Sequence, residues 1–74
     1  MAMDPLTDIE RAMLDMEAEW FATPGGKETA IRDRFAVSPT RYYQRMAKLI
    51  TRPAALEYDP VTANRLLRIS RGNR

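Results

Sequence analysis

The chain has 74 residues, with 12 Lys/Arg against 10 Asp/Glu, and neither cysteine nor histidine. That length makes one small domain with a thin stability margin, and the missing residue types remove disulfides, thiolate and imidazole metal sites, and the commonest acid–base side chain. Hydrophobic residues at 45% are too many for a disordered chain, no apolar run reaches membrane-spanning length, and glycine is scarce with no period-two alternation, so a single all-α domain without metal or cofactor is expected.

Residues 1–6 read as a flexible arm. They lack the basic start and apolar core of a signal peptide, so a cytoplasmic protein is expected. Asp4-Pro5 or Thr7 is expected to cap the first helix, and Thr7 with Glu10 has capping-box spacing. The helix is expected to run to Phe21 or Ala22, burying Ile9, Met13, Met16 and Trp20 with Ala12 alongside. Trp20 and Phe21 would close one end of the core. Residues 1–26 carry six carboxylates against Arg11; residues 27–74 carry eleven Lys/Arg against four carboxylates. An acidic first helix would then face away from an anion-seeking basic remainder.

Thr23-Pro24-Gly25-Gly26 reads as a turn, with no phosphate-loop motif around it. Lys27 to Phe35 forms the second helix, burying Ala30, Ile31 and Phe35, and Arg34 less so. Arg32 occupies the position where helix-turn-helix units usually carry a small residue, with Ala30 supplying the close contact instead. Ser38 then caps a third helix with Pro39 in its first position. Tyr42, Met46 and Leu49 form its packed stripe, flanked by Tyr43, Ala47 and Ile50. Arg41, Gln44, Arg45 and Lys48 share the other face.

Arg52-Pro53 ends that helix near Thr51. Pro53 to Leu56 suits one helical turn returning Leu56 to the core. Asp59-Pro60 starts a fourth main helix, Val61 to about Ser70. Ala63, Leu66, Leu67 and Ser70 lie on one side of it; Arg65, Arg68 and Arg71 lie on the other. Residues 72–74 read as a flexible tail.

The expected architecture is a three- to four-helix bundle whose second and third helices form a helix-turn-helix. A basic, amide-bearing helix after a short turn has what major-groove reading of double-stranded DNA requires. Arg41 or Arg45 suits a guanine and Gln44 an adenine, with Ser38, Thr40 and Tyr43 beside them. Lys27, Arg32, Arg34, Lys48 and Arg52 suit phosphate contacts, and the basic run Arg65, Arg68, Arg71 and Arg74 suits phosphates, a minor groove, or simply a soluble basic end. So small a unit is expected to bind as a homodimer or a cooperative array. Two rivals remain at this level. One is a protein-interaction module docking on RNA polymerase or a host factor through its acidic first helix. The other is binding of structured RNA, for which Tyr43 is the single stacking candidate. Catalysis is not expected, because Asp8, Asp15 and Glu19 have the spacing of a solvated helix face.

Gly26-Lys27-Glu28, Ala30-Ile31-Arg32, Arg34-Phe35, Ser38 and Arg41-Tyr42-Tyr43-Gln44 precede Pro53-Ala54-Ala55-Leu56, Asp59-Pro60, Arg65-Leu66 and Arg68. Together, over residues 17–71, they resemble a family of small actinobacterial and actinophage proteins of unassigned function, described as helix-turn-helix-like. The resemblance implies that fold and a phage or actinobacterial setting, and no ligand. Ala36 stands where glycine is common in the family's turn, a departure that is tolerable if the backbone stays right-handed there. The tail reads RLLRISR in place of a denser arginine block.

Overall fold

The computed structural model describes residues 5–72, with side chains over 5–70. Five helices follow one another: α1 Asp8–Glu17, α2 Pro24–Phe35, α3 Pro39–Leu49, α4 Pro53–Tyr58 and α5 Pro60–Gly72. The fold is all-α, with no strand among the described residues.

Each helix start is written in the residues before it. Thr7 accepts from the Glu10 N–H at 3.1 Å, and the Glu10 carboxylate accepts from the Thr7 N–H at 2.8 Å, completing the capping box. Proline opens each of the other four helices, where its missing N–H costs no intrahelical bond. Thr23 caps α2 through the Gly26 N–H and Ser38 caps α3 through the Arg41 N–H. Asp59 accepts from the Thr62 N–H at 3.1 Å at the start of α5. Bonds from the Thr62 side chain and main chain hold the Asp59 carboxyl below its usual range.

The core joins Met13, Leu14 and Met16 of α1, Ile31 of α2, Tyr42, Met46 and Leu49 of α3, Ile50, and Ala54 and Ala55 of α4. Leu66 and Leu67 of α5 pack on its edge. Burying each large aliphatic side chain contributes roughly 1.5–3 kcal/mol before entropy is counted. Helix α2 packs on α3, α4 on α5, and α1 on α5. The third-helix stripe falls where its periodicity predicts, with Tyr42 fully enclosed and its ring 5.6 Å from that of Phe35.

Several boundaries differ from the sequence expectation. Helix α1 ends at Glu17, not at Phe21. The Ala18 N–H bonds the Asp15 carbonyl and the Glu19 N–H the Met16 carbonyl in a tightened last turn, and the chain then leaves the helix. Trp20 therefore drops off the apolar stripe and is 85% exposed. Ile9 is 56% exposed as well, and the buried stripe turns instead toward Leu14 and Glu17. The Pro24–Gly26 segment is the first turn of α2 rather than a break, because Thr23 captures the Gly26 N–H. Pro53 onward makes a full short helix to Tyr58, with Ala54 and Ala55 buried more deeply than Leu56. Leu6 is buried in the core, so the expected arm does not include it; residues 1–4 lie outside the described residues. Gly72 closes α5 rather than opening a tail; Asn73 and Arg74 lie outside the described residues.

The turn between α2 and α3 is three residues long, 36 to 38. Ala36 takes φ 56° and ψ 35°, the left-handed conformation, not the right-handed one expected from its side chain. Its N–H bonds the Arg32 carbonyl at 3.0 Å and so ends α2 with a C-terminal cap. A β-carbon in that region costs about 1–2 kcal/mol, which glycine avoids at the expense of a floppier unfolded chain. Ala36→Gly is therefore expected to stabilise the fold by about 0.5 kcal/mol, raising the melting temperature by roughly 2–4 °C. Thermal melts followed by circular dichroism check this; a lower melting temperature would contradict the cap geometry.

Candidate nucleic-acid interface

Helix α3 is amphipathic, and burying Tyr42, Met46 and Leu49 turns Arg41, Gln44, Arg45 and Lys48 outward together. These four line one shallow surface hollow of about 210 Å³. Arg41, Arg45 and Lys48 have no ion-pair partner among the described residues. Thr40 is exposed one residue before Arg41. Ser38 uses its hydroxyl oxygen to accept from the Arg41 N–H, so its role is structural in the free protein.

Tyr43 borders this face. It is 45% exposed and stands edge-on to Tyr42, ring centroids 5.1 Å apart. The Lys27 ammonium sits 5.4 Å from the Tyr43 ring centroid, within range of a cation–π attraction. Trp20, Phe21, Pro24 and Lys27 join Tyr43 around a second hollow of about 380 Å³ beside the α2 start.

The other cations predicted to hold phosphates are mostly occupied. Lys27 donates to the Glu17 carboxylate at 2.8 Å. Arg34 grips Glu19 with two bonds, 2.6 and 3.0 Å long. That forked contact holds the Glu19 carboxyl below its usual range and raises Arg34 further. Arg52 donates to Glu10 at 2.6 Å. Arg65 donates to the Glu17 main-chain carbonyl at 2.5 Å, which turns it onto α1. Arg32 and Arg68 are exposed; the side chain of Arg71 lies outside the described residues.

The acidic helix thus does not face away from the basic half. Glu10 and Glu17 of α1 reach Arg52 before α4 and Lys27 of α2, Glu19 just after α1 reaches Arg34 of α2, and together they neutralise three of the cations expected at phosphates. The charge left unpaired is concentrated on α3.

Glu17 is the residue that sequence reasoning missed. It is only 7% exposed, and its carboxylate accepts from the Tyr42 hydroxyl at 2.6 Å as well as from Lys27. The Tyr42 hydroxyl also lies 3.3 Å from the Met13 carbonyl. Burial, and then the Glu17 carboxylate, push the Tyr42 phenol well above its ordinary range. One carboxylate therefore joins α1, α2 and α3 and sets where α3 lies. The available signal was positional: Glu17 follows Met13 by four residues on the buried stripe.

Among the described residues no helix is long and apolar enough to cross a membrane, and no cluster of carboxylates has the makings of a metal site. A family described as "Protein of unknown function (DUF3263)" matches residues 5–74, and the chain belongs to that family. No curated protein and no solved structure matches the chain.

Proposed function

We propose that this DUF3263 member is a double-stranded DNA-binding helix-turn-helix protein. It acts as a small transcriptional regulator, or a phage regulatory or accessory protein, in the cytoplasm of an actinobacterial cell. The observation that carries the reading is the gathering of Arg41, Gln44, Arg45 and Lys48, exposed and without ion-pair partners among the described residues, on the helix that follows a three-residue turn. Two arginines and a glutamine on one helix face supply the bidentate donors that guanine and adenine edges accept in a major groove. Lys48 and Arg32 flank them as phosphate contacts. Tyr43 supplies a ring and a hydroxyl at the border of that face. Arg68 and Arg71 extend the backbone grip in this reading.

The internal ion pairs narrow the footprint. With Lys27 and Arg52 held by α1 and Arg34 by Glu19 just after it, about three to five cations remain for phosphates, giving a salt slope of roughly −3 to −4.5. Such a unit reaches operator-grade affinity as a homodimer or a cooperative array. The alternative of docking on RNA polymerase or a host factor through α1 is weakened, because Glu10, Glu17 and Glu19 are engaged within the chain.

Binding to a labelled genomic fragment pool across a salt series, with recovered fragments sequenced, tests the proposal. The expected result is enrichment of a common site that survives near-physiological salt. Binding that enriches no site and vanishes with added salt would overturn it. Stronger binding to structured RNA than to duplex DNA at matched salt would reassign the face to RNA.

A further inference from the structure

A groove of about 370 Å³ runs between the start of α1 and the end of α3, at the lower end of the range for small-molecule sites. Met13 and Leu49 form its floor, both nearly enclosed, and Ile9 stands 56% exposed at its lip. Ile9 continues the apolar spacing of Met13 and Met16, yet it stays largely uncovered beside the acidic first-turn residues Asp8 and Glu10. Arg45, Lys48 and Arg52 line the opposite rim. Arg52 is engaged by Glu10, and both Glu10 oxygens are taken, one by Arg52 and one by the Thr7 N–H. Arg45 and Lys48 have no such partner among the described residues.

Duplex DNA accounts for the two cations and not for the aliphatic lip. A ligand that satisfies both sides carries an alkyl segment and a carboxylate. We propose that this groove binds a small amphipathic carboxylate, its chain on Ile9, Met13 and Leu49 and its carboxylate between Arg45 and Lys48. Both cations also belong to the outward face of α3. If that face reads DNA, the ligand and DNA compete, and the groove is an effector site; that consequence rests on the proposed function, whereas ligand binding does not.

Octanoate is the probe, titrated into the full chain without DNA and followed by NMR. Saturable shifts confined to Ile9, Met13, Leu49, Arg45 and Lys48 are expected, with a dissociation constant near or below about 1 mM. Octanol should bind at least about tenfold more weakly, the equivalent of losing one favourable ion contact. Ile9→Glu, and separately Arg45→Gln with Lys48→Gln, should weaken octanoate by about tenfold or more at an unchanged melting temperature. Shifts that do not saturate, shifts scattered over the surface, or octanol binding as tightly as octanoate would overturn the inference. A second arm measures DNA binding with and without octanoate. Loss of DNA binding in the wild type, but not in Ile9→Glu, supports the effector role. Failure of the chain to bind DNA at all overturns the proposed function and leaves the NMR result standing.

Discussion

Glu17→Ala is expected to lower the melting temperature by about 10–20 °C, from a loss of roughly 2–3 kcal/mol. The carboxylate is almost fully enclosed and carries two bonds from different helices, Tyr42 of α3 at 2.6 Å and Lys27 of α2 at 2.8 Å. Removing one partner of a buried charged pair costs about 3–5 kcal/mol when the other is stranded. Here the loss is smaller. The Lys27 side chain is 22% exposed and can turn to water, and the Tyr42 hydroxyl keeps the Met13 carbonyl. A domain of this size has a total stability of about 4–11 kcal/mol, so the loss is a large share of it. Glu17→Gln retains an acceptor for Tyr42 and gives up the charge; it should cost about half as much. Tyr42→Phe should cost about 1–1.5 kcal/mol. The double variant Glu17→Gln with Tyr42→Phe should cost less than the sum of the two, because the partners share one bond. Thermal melts of the wild type and the four variants test this. Additive losses, or a Glu17→Ala protein melting within a degree or two of wild type, would show that the carboxylate does not couple α1 to α3.

The elements of this fold were legible where local chemistry alone decides them. Thr7 with Glu10, Ser38 with Pro39, and Asp59 with Pro60 mark helix starts because a side-chain oxygen and a fixed proline φ act within one turn. The α3 stripe was legible because eleven residues give three turns of unbroken periodicity. What failed depends on distant partners. Ile9 and Trp20 share the apolar period of Met13 and Met16, yet Trp20 lies beyond the end of α1 at Glu17 and Ile9 sits at the lip of the groove against α3, so both stay exposed. Glu17 looks like any surface carboxylate until Lys27 and Tyr42, ten and twenty-five residues away, are folded onto it. Thr23 hid the first turn of α2 because Pro-Gly-Gly favours turns in general, and a single cap bond at 3.0 Å decided the outcome. The cations of the candidate interface show the same division. Those on α3 were assigned to its outward face from spacing, and they lie there. The pairing of Lys27 and Arg52 with α1, and of Arg34 with Glu19 just after it, is set by helix placement, which charge counting along the chain does not see.

Arg41→Glu with Arg45→Glu is expected to reduce site-specific DNA binding by about 100-fold or more while leaving the fold intact. Both side chains are exposed, and neither has an ion-pair partner among the described residues whose loss would destabilise the helix. Each bidentate base contact discriminates by about 1–3 kcal/mol, so two lost contacts alone span roughly 30-fold to 10⁴-fold. Reversal adds repulsion from the phosphates, which puts the expected loss well inside that range. The measurement is a fluorescence anisotropy titration against the enriched site, with circular dichroism confirming an unchanged melting curve. Asp15→Lys with Glu19→Lys is the complementary variant. It breaks the Glu19 fork and releases Arg34, and it removes the acceptor of the Tyr58 hydroxyl. Under the DNA reading it does not weaken binding, and the freed Arg34 raises the sequence-independent component. If α1 instead docks on a protein, the two outcomes exchange: the arginine reversal leaves partner capture unchanged, and the lysine pair abolishes it. The contrast separates the readings because the acidic set lies on α1 and the loop after it, the basic set lies on α3, and only the α3 set remains without internal partners.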